Sequence, residues 1–144
     1  MMDLFFKPGS VAVLGASGTP GKLGYVIIKN IADSDFAGKV YPVNPKSDEI
    51  LGYKVYRSIP EIPGDVDLVV TALPTPKLTV EAMEQCAKKG VRAVIIESAG
   101  FAEIGGQGKA LQQQIVDIAR KNGIRVMGPN CSGIVSRDIV TSIY

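Results

Sequence analysis

The sequence predicts an α/β domain built on a doubly wound, mainly parallel sheet of five strands. Three observations carry that prediction. Short β-rich runs alternate with segments of helical period; the runs are continuously apolar; and glycine- or proline-bearing turns separate them. The 144 residues fit one domain, with 46% hydrophobic and 21% charged residues as in ordinary globular proteins.

The runs fall at 11–14, 40–43, 67–72, 91–96 and 124–127. Unbroken apolar character, rather than in-out alternation, is expected of strands whose two faces are both covered by helices. Between the first two runs Leu23, Val26, Ile27 and Ile31 recur at three- and four-residue spacing, so a helix is expected over 22–33. Val80, Met83 and Ala87 repeat the pattern in a segment that Thr75 is placed to cap, Pro76 to begin and Gly90 to end. Leu111, Ile115 and Ile118 mark a third helix, closed near Asn122-Gly123. The second crossover departs from the pattern. Residues 46–66 hold Gly52, Pro60, Pro63 and Gly64, which predicts loop, a short extended piece at 53–55 and one helical turn near Ile59. The last residues, 137–144, read as a further β-rich run without a closing turn.

Composition excludes several function classes. A net charge of +2, with no basic run longer than Lys88-Lys89, argues against nucleic acid and against a membrane surface. No stretch approaches the length of a membrane span, and the apolar part of the amino terminus is too short for a secretory signal. Cys86 and Cys131 make no disulfide framework, which points to a reducing cytoplasm. There is no histidine, so no imidazole serves as base, metal ligand or phosphate carrier, and no metal site is expected.

Ligands of such sheets bind beyond the carboxyl ends of the strands, so the residues following each run are the candidates. After the first run comes Gly15-Ala16-Ser17-Gly18-Thr19-Pro20-Gly21-Lys22-Leu23-Gly24. Glycines at every third position, leading directly into a helix, suit phosphate binding: the backbone can be approached closely and the helix start offers free N–H groups. Ser17 adds a hydroxyl and Lys22 a cation. The spacing is neither GxGxxG nor a P-loop, and a ligand-free turn is the competing reading.

The second run ends in Val43-Asn44-Pro45-Lys46. An NAD-binding domain usually carries an acid here to accept bonds from the ribose hydroxyls. Lys46 cannot accept them, but it can pair with a phosphate on the ribose, as in CoA or NADP; otherwise it is an exposed turn residue. Leu73-Pro74 after the third run forms a ledge that either only steers the chain or flanks a ligand. Glu97 ends the fourth run, where a carboxylate is costly unless paired. The glycines at 105, 106 and 108 then suggest a mobile loop. In Gly128-Pro129-Asn130-Cys131, Asn130 either orients a ligand group or stabilises a tight turn. Cys131 has no histidine to activate it, so no catalytic residue is assigned. Cys86 belongs to the core.

Taken in order, these segments resemble the CoA-binding domain of the ADP-forming acyl-CoA synthetases and of the succinyl-CoA synthetase α subunit. The likeness rests on Val11 to Ser17 with Pro20 to Gly24, on Val40 to Lys46, on Ser98 to Glu103 and on Gly128 to Gly133. It covers about residues 4–136. The resemblance implies a Rossmann-like domain binding coenzyme A, with the phosphorylated ADP end held by Gly15, Ser17, Gly18, Gly21 and Lys46. It puts Leu73-Pro74 along the coenzyme and Glu97, Asn130 and Cys131 towards its thiol. It also implies that ATP, Mg and the phosphorylated histidine of the family reaction belong to other domains or a partner subunit. The chain would then be the amino-terminal part of a longer synthetase, with homo-oligomerisation left open. Two rivals stand beside this reading: a standalone CoA-binding regulatory or carrier protein, and an NADP-dependent oxidoreductase domain. The latter accounts for Lys46 but not for Glu97 with the Asn-Cys turn.

Overall fold

A computed structural model describes residues 2–144. In chain order the elements are α1 (Asp3–Phe6), β1 (Ser10–Leu14), α2 (Leu23–Asp33), β2 (Lys39–Val43), β3 (Glu49–Ile50), β4 (Tyr53–Lys54), β5 (Leu68–Thr71), α3 (Pro76–Lys89), β6 (Ala93–Ile96), α4 (Gly106–Asn122) and β7 (Arg125–Met127). Single 3₁₀ turns lie at Ile59–Glu61 and Ala102–Ile104. The main sheet has the order β2-β1-β5-β6-β7, and every pair in it is parallel. The five expected strands are therefore present in a doubly wound arrangement.

Some strands start later than their apolar runs, because backbone groups near those starts bond elsewhere. The Asp67 N–H donates to Ser10 Oγ at 3.0 Å, and the Asp67 carboxylate accepts from the Gly9 N–H at 2.7 Å. Val91 donates to the Cys86 carbonyl and Ile124 to that of Ala119, so both residues finish helices.

Alternate residues of each strand face opposite layers. Ala12, Leu14, Val69, Val94 and Ile96 share a cluster with Val80, Met83 and Cys86 of α3 and Ile115 and Ala119 of α4. Val11, Val13, Leu68, Val70 and Ile95 pack with Ile27, Ile28 and Ile31 of α2. Burial pushes the Cys86 thiol up to about 12, as befits a core residue.

The expectation that helices cover both faces needs correction on the α2 side. There Phe5 of α1 and the irregular segment carrying Ile134 and Ile139 complete the layer. Residues 137–144 are not an open β-run. A bridge between Val135 and Val140 is closed by Ser136, which exchanges bonds with Ile139, and Thr141 donates back to the Ile134 carbonyl. Asn30 of α2 then holds the carbonyls of Ser142 and Tyr144 at 2.8 and 2.9 Å. Full burial of Ile139 contributes about 1.5–3 kcal/mol to docking the segment.

The helices begin and end close to expectation. Thr75 Oγ1 accepts from the Leu78 N–H at 3.2 Å, Pro76 starts α3, and Gly90 ends it in a left-handed conformation. Lys22 stands at the N-cap position of α2 rather than inside the helix, and its side chain makes no capping bond. The run expected as a mobile loop is different: Gly106 to Gly108 form the first turn of α4. The residues before it are pinned, since the Glu103 carboxylate accepts from the N–H groups of Gly100 and Phe101 and Gln112 Oε1 accepts from that of Ala102. The second crossover holds the expected extended piece, here as a hairpin of β3 with β4, and the expected turn at Ile59.

Candidate functional site

The chain runs from β1 to β2 on one side of the sheet and then crosses to β5 on the other, so the topological switch lies between β1 and β5. Loops diverge at such a point and leave a crevice at the carboxyl ends of the strands. Two adjoining cavities occupy it here. One, of about 640 Å³, is lined by Gly15, Lys22, Asn44, Lys46, Arg57, Leu73 and Pro74 among others. The other, of about 510 Å³, shares Gly15, Lys22, Leu73 and Pro74 and extends to Ser17, Glu97, Ser98 and Asn130. Together they make one groove crossing the ends of β2, β1, β5 and β6.

The floor of the groove is the glycine loop. Gly15 sits at φ 78°, and a Cβ there would collide with the Ala72 carbonyl, so only glycine lets β1 and β5 release their chains this close together. Gly24, in the first turn of α2, lies against the Gly15 carbonyl with no room for a side chain. That contact brings the start of α2 down onto the loop, the role glycine plays in nucleotide-binding turns of this architecture. No side chain caps α2, which leaves its partial positive charge to an anion. Ser17 Oγ accepts from the Thr19 N–H at 3.0 Å and so shapes the turn. Gly18 is exposed, and neither it nor Gly21, which turns the loop at φ 89°, is among the residues lining the two cavities.

At the β2 end, Asn44 is a tie. Its Nδ2 donates to the Ala16 carbonyl at 2.7 Å, its Oδ1 accepts from the Lys46 N–H at 2.7 Å, and its own N–H donates to the Tyr56 carbonyl. Lys46 is exposed at the mouth. Beside it stands Arg57, whose guanidinium donates to the Pro45 carbonyl at 2.6 Å and faces Asp48 at 3.7 Å. Sequence reasoning missed Arg57. The extended piece before it was legible, but not its pairing: Tyr56 bridges to Val43 and donates to Pro42, which delivers Arg57 to the end of β2. Lys46 and Arg57 thus give this end two cations, with Lys22 where the two cavities join, against Glu81 on α3 and the Asp48 that faces Arg57.

The opposite end is different. Glu97 is only 4% exposed, and neither carboxylate oxygen has a hydrogen-bond partner. Ser98 Oγ and Thr71 Oγ1 are buried and unpartnered beside the same strand ends. Desolvation raises the Glu97 carboxyl to about 8. Buried polar groups in native proteins are nearly always satisfied, so this cluster is the unusual chemistry of the site. Asn130, at φ 55°, lines the groove, and its N–H donates to the Ser98 carbonyl at 3.0 Å. Cys131 does not line it. Its thiol donates to the Ile96 carbonyl at 3.4 Å, and burial, followed by the charge of Glu97, raises its pKa, which makes it a poor nucleophile. Among the described residues no group of three potential metal ligands stands together, and no helix is long and apolar enough to cross a membrane.

Comparison with known proteins agrees with this geometry. The profile of a CoA-binding domain family matches residues 9–137. The α subunit of an ADP-forming acetate–CoA ligase II from Pyrococcus furiosus is 46% identical over 136 residues, covering 94% of this chain and 29% of that subunit. An ADP-forming acetate–CoA ligase II from Archaeoglobus fulgidus is 45% identical over 138 residues, covering 96% of this chain and 20% of the ligase. Among solved structures, a dinucleotide-forming acetyl-coenzyme A synthetase 1 from Ca. Korarchaeum cryptofilum, in complex with phosphate and ADP, superposes with a TM-score of 0.94 at 33% identity, over 99% of this chain and 31% of that one. The chain therefore spans less than a third of the length of each of these relatives.

Proposed function

Because the chain belongs to the CoA-binding domain family, we propose that it holds coenzyme A along the groove, as the coenzyme-binding part of an ADP-forming acyl-CoA synthetase. The phosphorylated adenosine end lies by Lys22, Lys46 and Arg57, the pyrophosphate over the Gly15 loop and the start of α2, and the pantetheine arm across Leu73-Pro74 towards Glu97 and Asn130. The observation that carries this is the polarity of the groove: Lys46 and Arg57 at one end, a glycine floor with Lys22 in the middle and unpartnered buried polar groups at the other. A ligand with a charged phosphate end and a long neutral arm suits that order.

The complete reaction joins a carboxylic acid to CoA while ATP becomes ADP and phosphate. This chain covers only 29% of one such ligase subunit and 20% of another such ligase, which supports placing the remaining parts of the reaction on further domains or a partner subunit; the Mg-ATP site and a phosphorylated histidine are assigned there. Titration of this chain with CoA, dephospho-CoA and NADPH tests the assignment. CoA is expected to bind tightest; tighter binding of NADPH would replace it with the oxidoreductase reading.

A further inference from the structure

A thiol that attacks an acyl group must lose its proton, and the chain has no histidine to take it. Lining the far end of the groove, Glu97 is 4% exposed and has both carboxylate oxygens unpartnered. The titratable groups facing it are few. Lys22 borders the same cavity from the start of α2, and Cys131 lies behind it on the turn after β7, its thiol already donated to Ile96. Neither pairs with Glu97. The backbone around the carboxylate is closed: a Cβ on Gly133 would strike Glu97 Oε1, so the side chain is walled on that side. A buried carboxyl with no internal donor that borders a ligand groove is suited to receive a proton from whatever occupies the groove.

We propose that Glu97 is the proton acceptor for the thiol of coenzyme A, an inference that rests on the groove holding CoA in the direction given above. The S–H bond breaks as its proton passes to a Glu97 carboxylate oxygen. The sulfur electron pair forms the new bond to the carbonyl carbon of an acyl phosphate, and the acyl C–O bond breaks with its electrons leaving on phosphate. A carboxyl raised to about 8 by burial suits this work, since a base is most effective when its pKa approaches that of the acid it deprotonates. An ordinary carboxylate would be too weak.

The test requires no acyl donor. With the chain in excess over CoA, the coenzyme thiol is alkylated with iodoacetamide across pH 6–10, and S-alkylated CoA is counted by mass spectrometry, separately from protein cysteines. For the wild type, the rate is expected to follow an ionisation near 8. In Glu97→Gln that step disappears and the rate at pH 8 falls about tenfold or more, with the two proteins compared at concentrations that saturate the CoA with each. Equal profiles in two proteins that both bind CoA would overturn the proposal. So would an equal loss of affinity for CoA and desulfo-CoA in the variant, which would make Glu97 a partner of the pantetheine amides. If Glu97→Gln does not fold, the wild-type profile decides, because a rate that tracks only the free thiol's own ionisation overturns the proposal. Failure of the wild type to bind either coenzyme is a separate result, and it removes the coenzyme reading itself.

Discussion

Asn44 Nδ2 donates to the Ala16 carbonyl at 2.7 Å, which fastens the end of β2 to the glycine loop that follows β1. The same side chain accepts from the Lys46 N–H through its other atom, so one residue fixes both the phosphate loop and the lysine beside it. Asn44 therefore positions the loop and Lys46 while it lines the groove itself. Asn44→Ala removes two local hydrogen bonds, each worth about 0.5–1.5 kcal/mol. A modest loss of stability is expected in urea unfolding, with CoA binding weakened because the loop and Lys46 are no longer held together. Asn44→Asp keeps the bond to Lys46 but sets a carboxylate against the Ala16 carbonyl, and it should weaken binding more than its cost in stability explains.

Lys46 and Arg57 flank the mouth of the groove, and both are assigned to the phosphate that distinguishes CoA from dephospho-CoA. A charge-assisted contact is worth about 1.5–3 kcal/mol, or roughly ten- to a hundred-fold in affinity. Lys46→Ala should reduce CoA binding by about that factor while leaving dephospho-CoA binding nearly intact. Arg57→Ala should act in the same direction. Its guanidinium is partly engaged with Pro45 and Asp48, so the expected loss is smaller. Calorimetry with the two ligands measures both. Equal losses for CoA and dephospho-CoA would show that neither side chain reads the phosphate.

The contrast between Lys46 and Arg57 shows what the sequence made legible. The five strands, the helix caps and the glycine loop follow from local patterns: apolar runs, Thr75-Pro76, Gly90 and the glycine spacing. Lys46 is local too, because it directly follows a strand. Arg57 reaches the site only through the pairing of Tyr56 with Val43 across a hairpin, and no periodicity in the chain specifies that register. The last residues failed for the same reason. Ile139 and Thr141 look like part of a strand, since Ile139-Val140-Thr141 is a β-branched run, but their partners are Ile134 and Ser136 in a tight local turn. Glu97 was legible as an anomaly, a carboxylate ending a buried strand. Its lack of any partner became visible only once the surrounding atoms were placed.

Gly24 gives a packing test that removes no ligand-contacting side chain. Its Cα lies against the Gly15 carbonyl, and an added methyl would overlap backbone atoms of Gly15 and Ala16. Gly24→Ala is favourable for helix propensity by about 1 kcal/mol, so a helix effect alone would stabilise. The opposite is expected: α2 must move off the loop, with a net loss of about 1–3 kcal/mol as for other overpacked sites. CoA binding should weaken as well, since the helix start no longer reaches the pyrophosphate. Thermal unfolding with and without CoA separates the two effects.

Glu97 couples the stability of the fold to pH in a direction opposite to that of most carboxylates. Its folded-state pKa, about 8, lies above the ordinary carboxyl value, so between the two the native state binds more protons than the unfolded chain. Below about pH 4 both states are protonated and Glu97 has no effect. As pH rises towards 8 the unfolded chain ionises freely while the buried carboxyl stays neutral, and stability falls throughout that interval. Above 8 both states are ionised and the loss levels off, at a few kcal/mol by the linkage relation. Glu97→Gln removes the titration. The variant should match the wild type at pH 4.5, exceed it at pH 8, and show a flatter urea midpoint against pH. A wild-type midpoint that rises from pH 5 to 8 through this residue, or a variant with an unchanged profile, would mean that the carboxylate finds a partner in solution.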